Sequence, residues 1–271
     1  MIVNDLIVVG ALPQVVNAYF AIGDSSWMDD KERASDLING WAKACELACA
    51  AWGGGETPAL KGIINPDTID LAGSAVGIIN PKERLVLGDK LEAGDSIVLV
   101  ASSGIHANGL SLARSIADDL PEGYATVMPD GRSYGEALLT PTPIYVSLVR
   151  ELLEAKIDIH YMVNVTGHGW RKLMRATKDL SYTIDTLPEV QAEFLFMQEQ
   201  AGISDSEMYA SFNMGAGFAI YVPSSEAQKV VDLAAKAGHK AWVAGSASLG
   251  AKQVTITPKN IVYTSDSLEV R

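Results

Sequence analysis

The sequence is poor in cysteine, in aromatic side chains and in positive charge. Its 271 residues include 2 Cys, 4 His and 7% aromatics, set against 24 Gly. Two thiols cannot build a disulfide framework, which suits a reducing compartment. Cys45 and Cys49 lie four apart in an apolar helical pattern. They read as two small buried side chains, because no other Cys or His stands nearby to complete a metal site. Basic residues number 21 against 33 acidic, a net charge of −12. That field repels polyphosphate backbones and anionic membrane surfaces, which argues against a nucleic-acid binder. Small phosphorylated ligands remain open, since a bound Mg²⁺ inverts the local charge. Long apolar runs are missing too. The stretch from Leu6 to Ile22 is broken by Pro13, Gln14 and Asn17 before it can span a bilayer. The opening MIVNDLIVVGALPQ has no basic region ahead of its apolar residues and carries Asp5 among them, unlike a signal peptide. The expectation is a soluble, cytoplasmic protein with no membrane or nucleic-acid partner. GxxxxGK[ST], GxSxG and HExxH are also absent.

What is present is a long alternation of strands and helices. The length suggests one large or two medium domains. Residues 2–9 read as the end of a helix closed by Gly10, and 13–22 as a β-branched and aromatic strand. Residues 29–52 carry the clearest helical spacing, running into the Gly53-Gly54-Gly55-Glu56-Thr57 loop, with a strand at 70–79. The polar, turn-rich segment 80–94 marks a boundary, giving domains 1–89 and 90–271. Beyond it the pattern predicts strands at 95–101, 159–165, 181–185, 216–222 and 241–247. Helices are predicted near 108–119, 142–155, 168–176, 189–200 and 225–237, and short strands around Pro258. The expected fold class is α/β (α+β) with covered sheets.

Four stretches set Gly and short polar residues at strand ends, where backbone can approach a ligand and helix amides can meet an anion. Asp5 sits in an apolar helix pattern and needs a partner, either a metal ion or a Lys or helix cap. GGGET offers Glu56 and Thr57, which with Asp5 and Asp70 form the oxygen set Mg²⁺ prefers; the same loop also reads as a flexible turn with an exposed Glu. ASSGIHANG, residues 101–109, reads as a phosphate or carboxylate cradle, with His106 as general acid or cationic anchor, or else as a cap of the turn. NVTGHGW, residues 164–170, repeats the theme ahead of Arg171 and Lys172. In SFNMGAGFAIYV, Gly215 and Gly217 fit close strand packing as well as ligand contact. His160 and His239 read as ordinary surface or strand-end residues.

In order along nearly the whole chain, these stretches resemble the phosphoribosylformylglycinamidine cyclo-ligase (aminoimidazole ribonucleotide synthetase) family. VNDLIVVGALPQVVNAYFAIG resembles VNDL…GA.P…DY.A.G, and GGGET with DLAGSAVG resembles GGET and DLAG.AVG. ASSGIHANGLSLAR resembles SSG.HSNGYSLVR, LLTPTPIYV resembles TPTRIYV, and EMYASFNMGAGFAIYVP resembles EM.RTFN.G.GM…VP. The resemblance implies two domains, N-terminal sheets pairing across a homodimer, and ATP with Mg²⁺ bound between domains. It implies ATP-driven ring closure of formylglycinamidine ribonucleotide through a phosphoryl imidate. Asp5, Glu56, Thr57 and Asp70 would then serve ATP, with Asp5, Glu56 and Asp70 holding the metal. Ser102, Ser103, Gly104, His106, Asn108, Gly109, Thr166 and Gly167 would meet the phosphorylated substrate, and His106 and Asp5 would be catalytic.

The chain also departs from that pattern. The family carries a GTDGVGTK stretch upstream of VNDL, so the N-terminal domain is expected to be incomplete at its start. HITGGG is replaced by Asn164-Val165-Thr166-Gly167-His168-Gly169, the EMPG.Y pattern after Thr57 is missing, Ala107 replaces a Ser and Asn17 an Asp. These departures support a second reading, a non-catalytic or differently specific paralogue. A third is a relative acting on thiamine phosphate, selenide or hydrogenase precursors.

Overall fold

The computed structural model describes residues 1–268. The chain divides into two compact units, Ile2–Leu85 with Ile144–Arg150, and Val86–Pro143 with the chain from Glu151 onward. The division therefore follows Leu85 and returns residues 144–150 to the first unit, where the sequence suggested a single boundary after residue 89.

The first unit opens with α1 (Ile2–Ile7), which stops at Gly10, where φ is +80°. β1 (Leu12–Ile22), α2 (Lys31–Leu47), β2 (Ala51–Glu56) and β3 (Ile69–Ile78) follow. β1 is central, parallel to β2 and antiparallel to β3. The expected helix over 29–52 is shorter at both ends. Asp30 caps it, accepting from the Arg33 amide at 3.1 Å, and after Leu47 the chain turns through Cys49 in the left-handed region. Cys45 is buried as expected, but Cys49 is exposed on that turn. The triple glycine is strand, not loop. At Gly55 a Cβ would overlap the Ala18 carbonyl, so only glycine lets the two strands pair this closely.

Strand alternation sorts the faces of this sheet. Val16, Ala18, Phe20 and Ile22 of β1 are buried, and Phe20 packs edge-on against Trp41 of α2 at 5.1 Å. Gly73 and Gly77 of β3 leave room on that face for Ile2, Trp41 and Leu6. The alternate positions Asp70, Ala72, Ser74, Val76 and Ile78 are exposed, so helices cover one face and leave the other open. Within α1 the buried polar residue is Asn4, which accepts from the Tyr145 amide at 3.1 Å. Asp5, expected among apolar neighbours, points outward. Helix phase explains it, since adjacent residues lie about 100° apart on an α-helix.

The second unit holds β4 (Asp95–Ala101), α3 (Leu110–Asp119), α4 (Tyr134–Leu138), α5 (Val146–Glu154), whose first residues belong to the other unit, and β5 (Tyr161–Asn164). It continues with β6 (Leu180–Ile184), α6 (Ala192–Ala201), α7 (Asp205–Ser211), β7 (Ala216–Pro223), α8 (Ala227–Lys236), β8 (Ala241–Leu249), β9 (Gln253–Ile256) and β10 (Ile261–Thr264). Seven strands form one sheet in the order β10-β9-β6-β8-β4-β7-β5, all neighbours antiparallel except β6 and β9. β4 lies centrally and its Ile97, Val98, Leu99 and Val100 are fully buried, as its unbroken apolar run requires. Two short helices escape the periodicity. Each opens with a capping box, Ser133 with Glu136 in α4 and Ser204 with Glu207 in α7. Residues 169–174 form a 3-10 helix in place of the expected α-helix.

Of the two places the sequence leaves open to His160, it takes the strand end, immediately before β5, and not the surface. It is buried beside Asp95, Nδ1 to Oδ2 2.7 Å, where the same carboxylate oxygen accepts from the Glu92 amide at 2.9 Å.

Candidate functional site

At one end of β4, three segments of the second unit meet. The loop 102–109 leaves β4, residues 165–170 leave β5, and residues 211–215 lead into β7. Ser102 donates its amide to Gly215 O at 2.9 Å and Val165 its amide to Gly217 O at 3.0 Å. Asn213 joins all three. Its Nδ2 donates to Gly104 O at 2.8 Å, its Oδ1 accepts from the Gly215 amide at 3.1 Å, and its carbonyl accepts from Trp170 Nε1 at 2.7 Å. Gly167 lies against Asn108, 3.0 Å from Oδ1 to where a Cβ would stand. Ser102, Ser103, Gly104, His106, Asn108, Gly109, Thr166 and Gly167, expected to act together, thus share this end of the sheet. Asn213 stands in a motif the sequence singled out, but its bridging role needs contacts no local pattern shows.

The backbone is strained here. His106 and Met214 take positive φ, +60° and +42°, a conformation non-glycine residues adopt rarely and mostly where surroundings enforce it. His106 is buried, and loss of solvent holds its imidazole down to about 4. Its Nε2 faces the Ser103 amide at 3.4 Å, leaving the proton to Nδ1. The expected cationic anchor is therefore a neutral ring at physiological pH. Burial explains the difference, because charging the ring would cost its hydration. The serine hydroxyls are engaged within the protein as well. Ser103 Oγ donates to Pro141 O at 2.7 Å, while Ser102 Oγ faces Gln191 Oε1 at 3.4 Å.

Positive charge comes from the neighbouring segment instead. Lys172 donates to the Thr166 hydroxyl and, at 3.4 Å, to Asn164 O. Burial and then Arg171, Arg175 and Lys172 hold the pKa of His168 below its ordinary value. Arg171 is fixed by carbonyls of Ala210 at 3.0 Å and Ser267 at 2.9 Å. These cations offset the acidic protein locally.

The floor under the 102–109 loop is the first turn of α6. Gln191 Nε2 donates to Ser102 O at 2.9 Å, and Phe194 packs on Phe212 at 5.8 Å. Phe212 fills the space a Cβ at Gly109 would need. Glu193, fully buried between them, pairs with Arg132 at 2.9 Å.

In the first unit, strand register sets Glu56 opposite Tyr19 and Asp70 opposite Ala21. Tyr19 and Ala21 point the same way, so both carboxylates belong to the open face. Asp5 belongs to the helix layer on the other face. The expected single-ion set of Asp5, Glu56 and Asp70 is not assembled within the chain. Among the described residues, the metal-capable group with ligand atoms within 4.8 Å of one another is Glu92, Asp95 and His160. There the hydrogen bonds already made by Asp95 account for the geometry.

Two family models cover most of the chain. Residues 1–79 match the N-terminal domain of AIR synthase related protein, and residues 92–256 its C-terminal domain. The chain belongs to the AIR synthase related family. A phosphoribosylformylglycinamidine cyclo-ligase from Methanothermobacter thermautotrophicus is 38% identical over 241 residues, 88% of this chain and 69% of that protein. One from Carboxydothermus hydrogenoformans is 35% identical over 262 residues, 94% and 74% of the two chains. The fold is shared with the hydrogenase maturation protein HypE solved in complex with ATP, at TM-score 0.64 and 18% identity over 99% of this chain and 77% of that one. Among the described residues no helix is long and apolar enough to cross a membrane.

Proposed function

We propose that the protein is an ATP-dependent cyclo-ligase that closes formylglycinamidine ribonucleotide to aminoimidazole ribonucleotide. The observation that carries this reading is the convergence of the 102–109, 165–170 and 211–215 segments at one end of β4. Relatives at 35–38% identity named for this reaction support it. In the reaction, the formamide oxygen takes the γ-phosphoryl of ATP, giving a phosphoryl imidate and ADP. The internal amine then attacks the activated carbon, and the C–O bond breaks to release phosphate. Catalysis of this kind depends on positioning and on donors aimed at developing charge.

In this reading Asn108, Thr166, Gly167 and Gly109 receive the substrate, and the Ser102–Gly104 turn shapes that surface through its backbone. Lys172 and Arg171 neutralise the phosphate. His106, neutral, acts as a hydrogen-bonding ring rather than a charge. Glu56, Thr57 and Asp70 serve ATP. Glu56 and Asp70 also fit Mg²⁺, which takes one or two carboxylates together with nucleotide phosphates. When bound, that ion offsets nucleotide charge; Asp5, in the helix layer on the other face, takes no part in holding it. The open face around Val76 and Ile78, 61% and 54% exposed, suits pairing with a second copy. Sedimentation velocity reads such a dimer directly, and a monomer at micromolar concentration removes it.

Calorimetry tests the nucleotide half of the proposal. Heat of Mg-ATP binding is expected in the native chain, weakened roughly tenfold or more in E56Q and D70N. Equal binding by all three proteins contradicts the assignment. A second reading, the same fold acting on another phosphorylated substrate, is favoured by Asn164 and His168, which stand where the resembled HITGGG pattern has a His and a Gly.

A further inference from the structure

The loop assigned above to an anionic substrate rests on an enclosed carboxylate. Glu193 is 0% exposed, and its Oε2 accepts from Arg132 Nη2 at 2.9 Å. Its Oε1 is buried and accepts no hydrogen bond. That oxygen lies against Gly104, where a Cβ would overlap it. Gly104 has φ of +151°, a conformation that favours glycine, so the backbone and the carboxylate fit each other closely. Arg132 is itself anchored, 2.7 Å from Asp130 Oδ2 and 3.5 Å from the Thr140 hydroxyl.

A buried charge persists only while its partner does, and losing one member of such a pair is costly. The Arg132–Glu193 pair therefore packs a fixed carboxylate against the Gly104 backbone, between α6 and the 130–132 segment. Its neighbours in the same helical turn hold the rest of the loop, Gln191 at Ser102 and Phe194, through Phe212, at Gly109. We propose that Glu193 is a positioning residue. Its carboxylate, clamped by Arg132, fixes Gly104 and with it the turn that receives the substrate's anionic group. The proposal rests on the reading of the 102–109 loop as the substrate-binding one.

Charge alone would act in the opposite direction. A carboxylate beneath an anion site repels the ligand, so its removal would tighten binding; loss of positioning weakens it. The test compares native protein, E193Q and R132M. In the ligand-free proteins, amide hydrogen exchange in peptides covering 102–109 is expected to rise roughly tenfold in both variants, with β4 and β7 unchanged. With formylglycinamidine ribonucleotide, KM is expected to rise about tenfold while kcat stays within about twofold, the scale of one lost charge-assisted hydrogen bond. Unchanged exchange in 102–109, or faster exchange throughout the unit, overturns the proposal whatever the kinetics. A lower KM in E193Q overturns it as well, leaving a purely repulsive charge. If native protein turns over no formylglycinamidine ribonucleotide, the cyclo-ligase reading fails and the exchange comparison alone decides the role of Glu193.

Discussion

His106 shows how one side chain couples burial to acid sensitivity. In the unfolded chain its pKa is near 6.5, and burial lowers it to about 4 in the fold. Between those values the unfolded chain binds a proton that the folded one refuses, so stability falls as pH falls through that window. The contribution is complete above about pH 6.5 and its loss, about 3 kcal/mol, is complete below about pH 4. Denaturant unfolding from pH 7.5 to 4 measures it. H106N keeps a residue type tolerant of positive φ and removes the titrating ring. Its stability curve is expected to flatten relative to native across the window; parallel curves contradict the burial argument.

At the scale of elements, the end of β4 is held by hydrogen bonds between loops rather than by any one loop's own geometry. Asn213→Ala leaves Gly104 O and the Gly215 amide without the side chain that satisfies both. Two buried groups so exposed are expected to cost about 2–4 kcal/mol, read by urea unfolding. A loss under about 0.5 kcal/mol would show that the three segments hold together without it.

Much of this architecture is legible in the chain itself. The unbroken apolar run at 95–101 announces a strand covered on both faces, and Gly clusters at strand ends mark the loops that converge. Other features are not legible, for specific reasons. Trp52 continues the spacing of α2, so the helix seemed to extend to it; in the fold it reaches the Phe20–Trp41 cluster from β2, at 6.2 and 6.5 Å. α4 and α7, of 5 and 7 residues, are too short for periodicity to reveal. Asp5 looked buried because composition names neighbours and not helix phase. Glu193 lies in a first helical turn, where an acidic residue ordinarily faces solvent and the helix dipole. Its burial depends on Arg132, 61 residues away, which no local pattern supplies.

The whole molecule carries a net charge of −12, and both its proposed substrates are anions. Binding them requires local reversal of that field. Arg171, Lys172 and Arg175 provide cations in the second unit, while the Glu56 and Asp70 carboxylates of the first suit a nucleotide-bound cation instead. In the proposed reading each unit would have a distinct charge task, one toward a phosphorylated substrate and one toward a metal-bound nucleotide. Membership of the AIR synthase related family, with cyclo-ligases at 35–38% identity, is consistent with that arrangement. The central claim is ring closure, and the most direct test is incubation of the purified chain with formylglycinamidine ribonucleotide and Mg-ATP. Aminoimidazole ribonucleotide, ADP and phosphate should appear in equal amounts and only when both substrates are present. ATP binding without any aminoimidazole ribonucleotide would contradict it.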